Sequence, residues 1–432
     1  MKRKDQMIRP AFLCALLCLM MAVSGCQSME DQNYTVPSAE KSETVTLKFF
    51  GNKNEALNVV AIEEILKAYM EEHPGVNITY ESVKGDDYFD VLMKRIKSGN
   101  GDDIFMINHD TMLELMKTGE LADLSGLPTI GDFSPGARSQ MTFDGVVPFV
   151  PTSISAFGLY CNLGLLAENN LEVPETYAEF LAACEVFAEK DITPIVANND
   201  ISLKTLAISR GMFEVYKDGG SEKALEQMNV DPSLLTEAMR PGFEMVHLFI
   251  DRGYVDAGRT LKTEKTKDDL ADFATGSYPF MLTGAWASPR VAALNPGLNY
   301  KVYPYPAQED GSVLVTNVDT RVAVNARGAH VEEAKKFLEY LTQKDVMWAF
   351  VDSQSSFSPL EDNRLSTDPA VQPLNAYMTN GRSILGTDSN LKYPIWDISK
   401  ESVRGLLEGQ SVEEVLGDFE AGLKKSQPGG AQ

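Results

Sequence analysis

Residues 44–50 read TVTLKFF, residues 76–80 VNITY and residues 103–108 DIFMIN. The spacing between these three runs decides the fold class. Each is short, bounded by turn residues and rich in β-branched or aromatic side chains, which predicts strands. Between the first two, Val59, Ile62, Leu66, Tyr69 and Met70 recur at a helical period, and His73-Pro74-Gly75 stops the helix. Between the second and third, Tyr88, Val91, Leu92 and Ile96 mark another helix ending near Gly99. Thr111 to Lys117 follows as a short helix halted by Gly119. Three strand–helix alternations predict an α/β fold, with a mainly parallel sheet covered by helices on both faces. Ligands of such sheets bind beyond the carboxyl ends of the strands. Gly51-Asn52-Lys53-Asn54 and His109-Asp110 fall there.

Outward from this unit, residues 120–150 are rich in turn residues and show no convincing helix. Val146 to Asn162 is apolar and β-prone, long enough to leave one lobe and enter another. Thr176 and Glu179 form a capping box that opens a helix. Ile192 to Ala197 reads as a strand. Residues 201–252 read as mostly helical, with a break at Pro241-Gly242. Lys301 to Pro306 and Val313 to Val324 read as a returning crossing, and Val331 to Phe350 as one helix. Residues 353–390 are irregular. Ile398 to Leu407 and Val412 to Lys424 are final helices, the second opened by a capping box of Ser411 and Glu414.

The chain of 432 residues carries 62 acidic against 39 basic residues, a formal charge of −23. That balance excludes the basic footprint that nucleic acid requires, and it disfavours direct docking on an anionic membrane. The first residues stand apart. Lys2, Arg3, Lys4 and Arg9 precede an apolar run from Ala11 to Val23, which is too short to span a bilayer and suits a signal segment. Val23-Ser24-Gly25-Cys26 resembles the lipobox of bacterial lipoproteins. That resemblance implies cleavage before Cys26, a lipid on its thiol and an exported protein that is lipid-anchored at the outer face of the bacterial cytoplasmic membrane, or periplasmic. Processing would remove four basic residues and one acidic one, taking the charge from −23 to −26. Residues 26–43 then read as a polar tether, and Ser426 to Gln432 as a frayed tail. Of five cysteines, only Cys161 and Cys184 would remain available to the fold. Cys161 lies in a predicted strand and Cys184 in a helix, which favours two buried free thiols.

A search for chemistry finds little. His73, His109, His247 and His330 are scattered, and there is no H-E-x-x-H, no G-x-S-x-G, no P-loop, no G-x-G-x-x-G and no C-x-x-C. No catalytic residue, metal or cofactor is expected. A glycosidase-like carboxylate pair stays open, because acids are abundant.

The informative stretch is Phe273 to Trp286, FATGSYPFMLTGAW. It resembles the F-x-x-G-x-x-A-M-x-x-x-G-x-W element of carbohydrate-type (family 1) extracellular solute-binding proteins of ABC importers, with Phe280 where a small residue is usual. Leu159-Tyr160-Cys161-Asn162 and Leu171 to Phe180 are similar to the family's approach to its second lobe. Glu333 to Leu341, EAKKFLEYL, and Glu408 to Glu414, EGQSVEE, are similar to two of its helices.

The resemblance implies a two-lobed, type II periplasmic-binding-protein-like fold, with discontinuous lobes joined by hinge crossings. Lobe one would comprise 44–152 and 312–355, and lobe two 153–311 and 356–425. It implies a monomeric binding protein, not an enzyme, that captures a mono- or oligosaccharide and delivers it to ABC permease subunits. It implies stacking of sugar on Trp286 and Trp396, polar contacts from Asn52, Lys53, His109 and Asp110, and cleft-lining groups at Asn317 and Asp319. It also implies a ligand contact from Ser155 on the crossing strand, where relatives can carry an acid. Asp110 could instead cap the helix that follows, and Trp348 fits the core. An exported carbohydrate-active enzyme and a binder of a non-sugar solute such as a polyamine are the alternatives.

Overall fold

The computed structural model describes residues 44–427, except 86, 218, 220 and 363, together with the backbone pair 34–35. The expected signal segment, Cys26, the remainder of the tether and the tail beyond residue 427 lie outside the described residues.

The strands are β1 (Tyr34–Thr35), β2 (Val45–Gly51), β3 (Val76–Ser82), β4 (Ile104–Ile107), β5 (Val150–Asn162), β6 (Ile195–Val196), β7 (Phe280–Gly284), β8 (Tyr300–Tyr303), β9 (Tyr305–Gln308), β10 (Gly311–Val324) and β11 (Ser383–Leu385). They join in the order β1-β3-β2-β4-β10-β5-β7-β6, with β8 added on β5 and β9 and β11 on β10. The opening strand–helix alternation appears as read. β2 pairs parallel with both β3 and β4, and helices Ala56–Glu72 and Asp87–Lys97 make the crossovers. The expectation of a mainly parallel sheet is corrected, because the sheet is mixed. β10 runs antiparallel to β4, β5 and β9, and β5 antiparallel to β7 and β8. The physical reason is that the chain passes between lobes on two long strands that pair with each other, and a return strand must be antiparallel.

Those two strands, of 13 and 14 residues, organise the molecule. Val150 of β5 belongs to one hydrophobic core, and Phe157, Leu159 and Cys161 belong to another. β10 makes the opposite transfer, from Val313 and Val315 to Val318, Val322 and Val324. Between the two cores the paired residues turn polar, with Asn317 opposite Ser155 and Asp319 opposite Ser153. A third segment closes against them, where Ile154 and Phe357 exchange backbone hydrogen bonds of 2.8 and 3.0 Å. The fold is therefore two-lobed, and its crossings are lined by groups that can face solvent or ligand.

Several local expectations are corrected. Pro241-Gly242 does not end a helix; it lies within Pro232–Asp251. The interruptions fall instead at Met212, around Lys217 and at Asp231, where an Asp cap and Pro232 restart the chain. Val331 to Phe350 is two helices, Val331–Leu341 and Lys344–Ser353. Trp348 is not core: it is half-buried, donates from Nε1 to Asp362 at 2.6 Å, and has Lys344 and Arg364 against its ring. Residues 120–150 contain the helix Pro135–Met141, capped by Ser134, and 353–390 contain a 3-10 helix and β11. Both predicted capping boxes are present.

Cys161 and Cys184 are free and buried. Burial alone pushes the Cys161 thiol well above its ordinary range; for Cys184 burial does most of the same, and Cys161 and Glu185 add to it. Both thiols are therefore expected to resist a disulfide reagent in the native protein and to react on unfolding. Rapid labelling of either under native conditions would contradict their placement.

Candidate functional site

A cleft of about 1100 Å³ lies between the lobes. Residues from distant parts of the chain line it. Asn52 follows β2, and His109 and Asp110 open the helix His109–Thr118 directly after β4. Both positions are carboxyl ends of strands, as the α/β rule requires. Asn317, Asp319 and Arg321 come from the middle of β10, Trp286 from the turn after β7, and Trp396 and Asp397 from the first turn of helix Ile395–Leu407.

An aromatic cluster forms one wall. The Trp286 ring meets Phe157 edge-on at 5.2 Å, and Phe157 in turn contacts Trp396 at 5.5 Å. Gly284 explains the position of Trp286. A Cβ built on Gly284 would lie 2.2 Å from two atoms of the Trp286 ring. The G-x-W spacing thus lets the indole fold back over bare backbone. Trp396 is seated differently: the Lys204 ammonium sits 3.9 Å from the centre of its ring. Lys204 is fully buried and bonded at 2.7 Å to Asp200, which Lys265 also contacts. Burial lowers the Lys204 pKa and Asp200 opposes that, leaving it at about 8.

The polar groups divide by role. Ser155 donates to Asp319 at 2.6 Å. Burial works to raise the Asp319 pKa, but the charge of Lys53, the Ser155 hydroxyl and the Thr320 N–H outweigh it and hold the carboxyl below its usual value. Lys53 and Ser155 do not themselves line the cleft; they support Asp319, which does. Asn317 is tied by its side-chain oxygen to the N–H of Thr387 at 2.8 Å. His109 is buried, and its Nε2 lies 3.1 Å from the Leu391 carbonyl. Burial, helped by the Arg321 charge, lowers its pKa to about 3, so the ring is neutral and donates to that carbonyl. Asp110 does not cap its helix. Asn108 does, accepting from Thr111 N at 2.8 Å. The Asp110 carboxyl is thereby left facing the cleft. Thr320, at the crossing, holds φ at 45°, a left-handed conformation that a β-branched residue rarely adopts. Bonds from Thr152 and Ser153 hold it there.

Seven of the nine residues singled out from the sequence therefore line one cleft: Asn52, His109, Asp110, Trp286, Asn317, Asp319 and Trp396. The sequence reading missed Phe157, Asp200, Arg321 and Asp397. Asp397 was adjacent to a chosen tryptophan, and Arg321 is the lone basic residue within an otherwise apolar and polar-neutral strand save for Asp319. Both were visible as charges in unusual company. Among the described residues there is no His, Cys, Asp and Glu grouping that could hold a metal.

Comparison with known proteins accords with this geometry. Residues 64–376 match the family model described as bacterial extracellular solute-binding protein. The chain is 23% identical over 355 residues to the multiple sugar-binding protein of Streptococcus mutans, covering 79% of this chain and 81% of that one. It is 24% identical over 313 residues to a putative binding protein of Brucella abortus, covering 71% and 74%. Among solved structures, the solute-binding protein RafE in complex with raffinose superposes with a TM-score of 0.70 at 20% identity, over 89% of this chain and 100% of that one. A sugar transporter protein from Bacillus licheniformis in complex with stachyose gives 0.68 at 20% identity, over 87% and 98%.

Proposed function

The chain belongs to the bacterial extracellular solute-binding protein family, and from that membership we propose that it captures a mono- or oligosaccharide in the interlobe cleft and delivers it to the permease of an ABC import system. The observation that carries the carbohydrate reading is the aromatic wall of Trp286, Phe157 and Trp396 standing beside Asp110, Asn52 and Asp319 in one cleft. Sugars present apolar C–H faces and a rim of hydroxyls. Rings serve the first and carboxylates and amides the second. At about 1100 Å³ the cleft exceeds the roughly 300–1,000 Å³ of ordinary small-molecule pockets, which suits more than one sugar ring. The names of the relatives point the same way, toward multiple sugars, raffinose and stachyose.

In this reading Trp286 and Trp396 stack on the ligand, Asn52, Asp110, Asn317 and Asp319 hold its hydroxyls, and Lys53 and Ser155 keep Asp319 ionised. His109 braces the 387–393 segment. Lobe one comprises 44–152 with 318–355, and lobe two 153–316 with 356–425; the expected boundary at 312 moves along β10 because Val313 and Val315 pack in the core of the second lobe. The lobes close on the ligand, which shifts the population toward the closed form. The protein is exported, cleaved before Cys26, anchored by a lipid on that cysteine and monomeric. No helix among the described residues is long and apolar enough to cross a membrane.

A thermal-shift screen of residues 27–432 against raffinose, stachyose, chitin oligosaccharides and monosaccharides tests the reading. A sugar at 100 times its Kd is expected to stabilise the protein by about 2.7 kcal/mol. A shift with a polyamine and none with any sugar would replace the ligand class. Release of hydrolysed sugar would replace binding by catalysis.

A further inference from the structure

We propose that Asp110 and Asp397, carried to the cleft by different lobes, form a carboxyl pair that shares one proton in the unliganded protein and releases it when ligand hydroxyls enter between them. The inference rests on the carbohydrate reading of the cleft and names its proton linkage.

The geometry is specific. Asp110 lies in the first turn of His109–Thr118 and Asp397 in the first turn of Ile395–Leu407, and both line the cleft. Both Asp110 carboxyl oxygens are shielded from solvent, and no contact of ordinary hydrogen-bond geometry reaches either. A buried acceptor without a donor is costly, and a buried unpaired charge more so. The Asp397 carboxyl and backbone N–H lie close enough to act on it. Two neighbouring carboxylates do not both ionise at neutral pH. Other charges face the pair from each packed element. Lys204, from helix Ile201–Gly211, favours ionisation of Asp110. Arg321, from β10, is coupled to Asp110 and to Asp319 and Asp388. His109, on the same helix, is neutral, and Lys400 and Asp200 line the cleft beyond. The balance still favours the proton: burial, then Asp397, raises the Asp110 pKa to about 8.

Sugar hydroxyls are donors, and ionised carboxylates are the strongest acceptors available to them. A ligand that supplies donors to both carboxylates therefore favours the doubly ionised pair. The carboxyl O–H bond breaks heterolytically, its electron pair stays on the carboxylate, and the proton passes to water or buffer. Binding that releases a proton strengthens as pH rises. The expected signature is a Kd that falls by up to tenfold per pH unit between about 6 and 8 and is flat above.

The test has two arms. In the first, carbon-13 NMR of aspartate carboxyls in the unliganded protein should show one titrating near pH 8. That signal should vanish in Asp110→Asn and move down in Asp397→Asn. A spectrum in which every aspartate titrates in the ordinary range overturns the pair. In the second, calorimetry with raffinose and stachyose across pH 6 to 9, in buffers of different ionisation enthalpy, should register proton release in the wild type, none in Asp110→Asn, and in Asp397→Asn a release displaced to lower pH. A wild-type profile without slope, or a slope kept unchanged in both variants, overturns the linkage even if the pair exists. Absence of binding by any sugar at every pH overturns the carbohydrate reading on which the linkage depends, while the first arm still decides the pair.

Discussion

Gly284→Ala is expected to leave the protein folded and to weaken sugar binding by about tenfold to a hundredfold. The added Cβ would fall within 2.4 Å of three atoms of the Trp286 indole. Something must move, and the ring is the movable partner, because Gly284 is fixed in β7 opposite Phe157. Once displaced, the indole leaves its edge-on seat on Phe157 and loses its stacking position on the cleft wall. An aromatic contact of this kind is worth on the order of 1–2 kcal/mol, or about tenfold in Kd. Burial of a misplaced ring within the cleft adds a steric penalty. Trp286→Ala, which removes the ring outright, should cost about tenfold or more. Calorimetric titration of both variants with the sugar that stabilises the wild type is the check. Unchanged affinity in a folded Gly284→Ala protein would mean that the indole carries no part of the ligand contact.

Gly242→Ala is expected to destabilise the protein by about 3 kcal/mol or more, although Gly242 itself does not line the cleft. Here the added Cβ would lie 2.1 Å from the Ala207 carbonyl oxygen and 2.7 Å from its carbon. The obstacle is the backbone of helix Ile201–Gly211, so no side chain can yield, and two helices must separate. That clash also explains why Pro241-Gly242 persists inside a helix that it weakens locally: the close crossing requires glycine. At roughly 2–4 °C per kcal/mol for a chain of a few hundred residues, the melting temperature should fall on the order of 5–10 °C. Gly417→Ala is the control, since nothing lies within 4 Å of its Cβ position and it sits within helix Val412–Ser426. It should be neutral or stabilising by up to about 1 kcal/mol. Equal melting temperatures for the Gly242→Ala and wild-type proteins would show that this helix pair tolerates separation.

How much of this was legible in the sequence depends on what each residue's role needed. Period and punctuation revealed β2, β3, β4 and the helices between them, because those elements are made by local pattern. Capping boxes at Thr176 and Ser411 were equally local. Pro241 misled because its helix is held by a tertiary contact that propensity does not encode. The joint at Thr342-Gln343 was hidden inside a continuous run of helix-compatible residues, where no Gly or Pro marks the break. Trp348 was assigned to the core from its apolar neighbours, yet a hydrogen bond to Asp362 and two cationic partners hold it near the surface. In the cleft, Trp286 and Asp110 were legible from strand-end position. Phe157 was not, and Arg321 and Asp397 stood out only as charges in unusual company, since the importance of all three comes from distant segments meeting at the crossing. The same holds for Lys53 and Ser155, whose chemistry reached the cleft one step removed, through Asp319.

The most direct test of the central claim is calorimetric titration of residues 27–432 with the sugar selected by the thermal-shift screen, followed by chromatography of the recovered sugar. One molecule bound per chain, recovered chemically unchanged, with affinity lost in Trp286→Ala, is the predicted result. Absence of binding heat with every sugar, or recovery of cleaved sugar, would contradict it.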